Sequence, residues 1–282
     1  MSVDFESWVH RPVFNIPISE QTKELDGGHV LRATKLILEL FKKYQIKATF
    51  FILGTVAEWY PEVIEEIKYE GHEIGIHGYT HKNLYVHNKQ SFDEEIRKTV
   101  LILKRYGVEP HGYRSPCFSR ADFLWEVLNE NGIVYDSSIF PIKTPLYDGT
   151  SYDCRPFVIG DGIIEIPCSV LKISKLRIPV GGFYLRLFGG RVNYILLKEI
   201  EKRNGIAVMY FHPWEILDIP KKIYIEKDKK VKLSLMKKKF AYYKIPMLNK
   251  LEYLLEKINF TNFEGAIKYI NENLLRQKNR KD

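Results

Sequence analysis

The chain is poor in several features that would mark particular protein classes. Only three of its 282 residues are cysteine, Cys117, Cys154 and Cys168. An odd number with no short metal-type spacing argues against a disulfide framework and for reduced, buried thiols. No run approaches eighteen apolar residues, which excludes an ordinary membrane-spanning helix. The start carries Asp4 and Glu6 and lacks a basic-then-apolar signal pattern, so a soluble cytoplasmic protein is the expectation. Met1 stands only three residues before Asp4, which leaves room for a longer native N-terminus. Internal repeats and low-complexity linkers are also lacking. Basic surplus is missing from most of the chain: residues 1–220 hold 26 Lys+Arg against 28 Asp+Glu. The body is therefore no general polyanion binder, and no nucleic-acid recognition motif is visible.

What is there is ordinary globular composition, 45% hydrophobic and 28% charged, with length ample for a buried core. The net charge of +8 comes from the last fifth, where residues 221–282 hold 17 Lys+Arg against 7 Asp+Glu. Short β-rich runs alternate with helical patterns to about residue 215. Strands are expected at 47–53, 73–76, 163–166 and 206–211. Helices are expected at 29–44, 62–69, 121–131 and 191–203, and from a Ser91-x-x-Glu94 capping box to about Tyr106. That alternation predicts a parallel α/β arrangement, either a closed barrel or an open sheet. Beyond Pro220 a lysine-rich stretch leads to helical segments near 234–258 and a last helix capped by Thr261-x-x-Glu264. A single domain is expected, with residues 1–220 as catalytic body and 221–282 as a basic, mainly helical extension packed on it.

Four polar clusters each end a strand, where barrel enzymes place their sites. Asp4-Phe-Glu6 puts two carboxylates on one face of a strand. His77-Gly-Tyr-Thr-His81 brings two imidazoles to one cation if the segment turns like a helix, and a carboxylate would complete a facial triad. Arg114-Ser-Pro116-Cys-Phe118 offers an arginine that can fix a carboxylate. Phe211-His-Pro-Trp-Glu215 offers a general acid, His212, beside an indole suited to stacking. Each cluster alone has a plain structural alternative: a solvated acidic pair, a chance histidine pair, a surface turn, a core-edge histidine.

The ordered series resembles the polysaccharide deacetylase family. It comprises Asp-x-Glu, Ala48-Thr-Phe-Phe51, Gly71-His-Glu-Ile74, His77–His81, Tyr113-Arg-Ser-Pro116, Tyr135-Asp-Ser-Ser138-Ile-Phe-Pro141, Glu165-Ile-Pro167 and Phe211–Glu215. Within that family it is similar to the subgroup linked to exopolysaccharide production. The resemblance implies a distorted (β/α) barrel of about seven strands and metal-dependent removal of an acetyl group from an N-acetylated sugar, with zinc as the expected ion. It assigns the catalytic base to Asp4, its arginine tether to Arg114 and the general acid to His212. Glu6, His77 and His81 would be the metal ligands. The backbone amide near Cys117 would face the oxyanion, and Phe118, Trp214 and Glu215 would belong to the substrate pocket. The family's usual adjacent Asp-Asp is here Asp-Phe-Glu.

Two other readings share the scaffold: a hydrolase of small cyclic amides or imides, and a non-catalytic carbohydrate-binding relative. The expected partner is an N-acetylated glycan, with lipid- or nucleotide-linked sugars as further candidates. For the lysines at 221–239 the choice lies between a solvated surface and attraction to an anionic membrane surface.

Overall fold

A computed structural model describes residues 1–144, 148–160, 162–219, 224–225, 229–230 and 247–275. The lysines of 221–239 thus lie outside the described residues, save for the backbone at 229–230, as does much of the helix expected near 234–258.

Among the described residues, and besides an antiparallel pair at Tyr224–Ile225 and Lys229–Lys230, ten strands carry the fold: β1 (Ser2–Phe5), β2 (Thr49–Ile52), β3 (Glu73–Ile76), β4 (Gly112–Tyr113), β5 (Tyr135–Asp136), β6 (Phe157–Ile159), β7 (Ile163–Glu165), β8 (Val170–Ile173), β9 (Leu176–Pro179) and β10 (Tyr210–Phe211). Eight form one curled sheet in the order β10-β1-β2-β3-β4-β5-β7-β6. Seven of these run parallel and β6 pairs antiparallel to β7. β10 and β6 are its two ends, so the barrel is open; β8 and β9 form a separate hairpin.

The helices are α1 (Lys23–Asp26), α2 (His29–Lys43), α3 (Gly54–Trp59), α4 (Pro61–Tyr69), α5 (Lys89–Arg105), α6 (Leu124–Glu130), α7 (Gly182–Asn204), α8 (Leu248–Leu255) and α9 (Phe263–Tyr269). Val30, Ala33, Ile37, Leu38 and Phe41 of α2 are buried on one stripe, the pattern of a helix laid against a sheet. β2 is buried on both faces, which explains its unbroken apolar run. Phe50 and Ile52 join the helix-facing core with Val3, Phe5, Phe41 and Phe211. Phe51, one residue out of phase, joins Phe118, Tyr135, Phe140, Tyr210, Phe263 and Ile270 in a second core inside the curl.

Boundaries differ from the sequence expectations where capping chemistry decides. α5 starts at Asn88, whose side chain accepts from Ser91 N–H while Ser91 Oγ caps Asn88 N–H. Ser91 is thus the third helical residue, and Ser91-x-x-Glu94 is not the box. Likewise Asn262, rather than Thr261, caps α9 by accepting from Gly265 N–H. α7 begins nine residues before the expected 191 because Gly189, at φ 82, breaks the helix and hides its periodicity. The strand expected at 206–211 shrinks to Tyr210–Phe211.

Candidate active site

All seven parallel strands point their C-terminal ends to one side, and the polar clusters meet there. Asp4 is in β1 and Glu6 follows it. His77 follows β3, Arg114 follows β4, Ser137 follows β5 and His212 follows β10. Alternation along β1 turns Val3 and Phe5 to the helices and Ser2 and Asp4 into the curl.

Arg114, fully buried, donates through Nη1 to Asp4 Oδ1 at 2.6 Å and to Ser2 Oγ at 2.7 Å. Its Nε and Nη2 reach Ser137 O at 3.1 Å and Ser137 Oγ at 2.8 Å. The planar fork is thereby fixed, and one carboxylate oxygen of Asp4 is tied to it. The other, Oδ2, lies 3.9 Å from His212 Nε2.

His212 is set by the turn that follows it. Its Nδ1–H donates to Glu215 Oε2 at 3.0 Å, and its backbone N–H reaches the same oxygen at 3.0 Å. Nε2 is thereby presented to Asp4 and to Glu6 Oε1, the latter at 3.7 Å. Burial opposes charge on this ring, but Glu215, Glu6 and Asp4 outweigh it and raise the His212 pKa above its ordinary value. Arg186 of α7 sits 3.8 Å from the other Glu215 oxygen.

Glu6, His77 and His81 form the third part. One ligand-type atom from each lies within 4.8 Å of the others. His77 Nδ1–H donates to Arg114 O at 2.8 Å, which fixes the tautomer that leaves Nε2 with its lone pair. That Nε2 is buried without a protein partner. Burial lowers the His77 pKa to about 4, so the ring is neutral. Burial pushes the Glu6 carboxyl up, yet the imidazoles of His81, His212 and His77 pull it well below the usual range. Its Oε2 pairs closely with His81 Nε2, and its Oε1 accepts from Trp214 Nε1–H at 2.9 Å. Two neutral-capable imidazoles and one carboxylate, converging on an orphaned buried nitrogen, fit a divalent cation. The segment 77–81 is not helical, contrary to the geometry expected for paired imidazoles; Gly78 at φ 80 and His81 at φ 60 turn it instead.

The remaining expected positions fall differently. Cys117 and Phe118 occupy consecutive left-handed conformations, φ 53 and 56, strain of the kind that clusters at functional sites. Burial, then Glu6 and Asp4, push the Cys117 thiol to about 12, so it is no nucleophile. Phe118 turns into the core against Phe140 and Tyr210, at 5.2 and 5.1 Å. Trp214 stacks on His212 at 4.4 Å and lies under the Arg11 guanidinium at 4.0 Å. Its indole is thus half-buried and held by its neighbours. Glu215 is buried behind His212. Ser2 and Ser137, the other partners of Arg114, had no role in the sequence reading, although Ser137 lies in the Tyr135–Ser138 motif.

Residues 25–135 match the family profile for polysaccharide deacetylase, and residues 137–268 match a domain of unknown function, DUF3473. A peptidoglycan-N-acetylglucosamine deacetylase of Bacillus cereus is 39% identical over 115 residues, covering 39% of this chain and 42% of that protein. The chain spans about two fifths of the length of the curated relatives it matches. A Mycobacterium smegmatis crystal structure described as a polysaccharide deacetylase shares the fold with TM-score 0.56 and 23% identity, covering 76% of each chain. A PuuE allantoinase structure does so with TM-score 0.62 and 15% identity, over 97% of this chain and 89% of its own. With its open (β/α) barrel and the profile match at 25–135, the chain carries a region similar to the polysaccharide deacetylase family.

Proposed function

We propose that this protein hydrolyses the acetamide of an N-acetylated glycan, releasing acetate and leaving a free amino sugar. The observation that carries the proposal is that His212 Nε2 lies 3.9 Å from Asp4 Oδ2 and 3.7 Å from Glu6 Oε1, beside the Glu6–His77–His81 group. Peptidoglycan N-acetylglucosamine is the substrate class favoured by the printed names of the relatives. A divalent cation held by Glu6, His77 and His81, with zinc as the first choice, would supply a Lewis acid that polarises the amide and acidifies water.

The chain's own residues would do the rest. Asp4, paired with and pointed by Arg114, takes the proton of the attacking water through Oδ2. His212 gives a proton from Nε2 to the amide nitrogen as the C–N bond breaks, and Glu215 steadies the charged ring meanwhile. The amine leaves neutral and the carbonyl carbon leaves as acetate. The backbone N–H of Cys117, in the strained turn Pro116–Phe118, is the candidate for holding the oxygen charge between these steps.

Acetate release from N-acetylglucosamine oligomers and from peptidoglycan tests this reading. Asp4→Asn and His212→Ala should each lower turnover on the order of 10²-fold or more. Stripping the protein with a chelator should abolish activity, and zinc should restore it. Ring opening of a cyclic amide with no acetate released from any glycan would overturn the proposal. Undiminished turnover in either variant would overturn the corresponding role.

A further inference from the structure

Glu95 stands on α5, fourteen residues beyond His81 and outside every motif described above. Its side chain is 13% exposed. One of its oxygens, Oε2, accepts from two consecutive backbone amides, Tyr79 N–H at 3.2 Å and Thr80 N–H at 3.4 Å. The other closely accepts the Thr80 hydroxyl and faces His87 Nε2 at 3.9 Å. All three donors belong to the residues between His77 and His81. Consecutive amides aimed at one point make an anion-binding nest, and here the occupant is the protein's own carboxylate.

The loop needs such a partner. Gly78 and His81 are both left-handed, so 77–81 reverses direction without the internal hydrogen bonds of a helix turn. Its carbonyls are met from the other side: Gly78 O accepts from Gly54 N–H at 3.0 Å and from Thr99 Oγ1 at 3.3 Å, and Tyr79 O accepts from Thr55 N–H at 3.1 Å. Its amides at 79 and 80 go to Glu95. Left-handed backbone at a residue with a Cβ, as at His81, persists only where surrounding contacts over-determine it. Glu95 is the carboxyl group among those contacts, and it holds the amides that lie between His77 and His81.

We infer that Glu95 is a positioning residue, whose carboxylate sets the 77–81 loop so that His77 and His81 meet one cation. The inference rests on the reading of those histidines as ligands, and the test separates the two. Apoprotein of wild type, Glu95→Ala and Glu95→Gln is titrated with zinc and with cobalt(II), the latter followed by its visible absorption. Wild type should bind one equivalent. Glu95→Ala should lose about 10- to 100-fold in affinity, the range seen when groups that orient ligands are removed, with an altered cobalt spectrum. Glu95→Gln retains one acceptor oxygen and should recover part of the loss. If Glu95→Ala fails to fold, Thr80→Val, which removes only the hydroxyl donor, carries the test with a smaller loss. Folded variants that melt earlier but bind both ions as wild type does would reduce Glu95 to a structural residue and overturn the inference. A wild-type apoprotein that binds neither ion would overturn the ligand assignment, and this inference with it.

Discussion

Buried histidines in this chain do different work according to what faces each ring nitrogen. His72, between Phe41 and Phe50 at 5.6 and 5.3 Å, accepts Ala48 N–H on Nδ1 at 3.2 Å. Burial, aided by Lys47, lowers its pKa to about 4. Between pH 6.5 and 4 the unfolded chain therefore binds a proton that the folded chain refuses. His72 contributes stability that is whole above about pH 6.5 and is lost as pH falls toward 4, at most about 3 kcal/mol. His72→Asn keeps the acceptor and removes the titration, so the acid limb of its urea midpoint should be flatter than wild type; parallel limbs would refute this. Only some of this chemistry is legible from residue types. Asp4, Glu6, His77, His81, Arg114 and His212 were picked out because carboxylates, imidazoles and a guanidinium at strand ends are uncommon without purpose. Serine and glutamate are common in any chain, so only proximity gives Ser2, Ser137 and Glu95 their meaning.

Pro213–Glu215 is a single short turn with two duties. Glu215 reaches back to His212, and Trp214 reaches across to Glu6. Glu6 has one methylene more than an aspartate, and a longer side chain needs an extra hold if one oxygen is to face His77 and His81. Trp214→Phe keeps an aromatic ring over His212 but removes the N–H donor. Its expected result is roughly a tenfold loss of cation affinity in the apoprotein, read by titration, with no comparable change in melting temperature. Unchanged affinity would show that Glu6 needs no hold. Among elements, α2, α4, α5 and α6 are readable from apolar residues at the helical period, and β2 from its unbroken apolar run. β4, β5 and β10, two residues each, are too short to carry any period. Gly112 illustrates the gap: a Cβ there would lie 1.9 Å from the Tyr135 ring, a close approach that no sequence pattern announces.

The two profile regions, 25–135 and 137–268, do not divide the molecule into two cores. Phe263, 2% exposed, lies against Phe51 and Tyr135, both at 5.4 Å, and its N–H donates to Thr49 Oγ1 at 2.8 Å. The described part of the C-terminal extension thus plugs the curl from below. Phe263→Ala should cost about 3–5 kcal/mol, visible as a lower urea midpoint; a loss under 1 kcal/mol would mean that the extension merely leans on the sheet. His212 comes from the second region, whereas Asp4, Glu6, His77, His81 and Arg114 precede residue 136, so neither region holds the assembled site. The overall barrel was foreseeable from strand-helix alternation, but its open seam was not, since pairing order is a long-range property. That seam has a consequence for how the protein behaves in a crowd. A closed barrel has no free strand edge to recruit other chains, and an open one must protect its ends by other means. Here β10 and β6 offer only two and three residues, too little ladder to template a foreign strand. An incomplete barrel with such stubs resists edge-to-edge aggregation much as closure would.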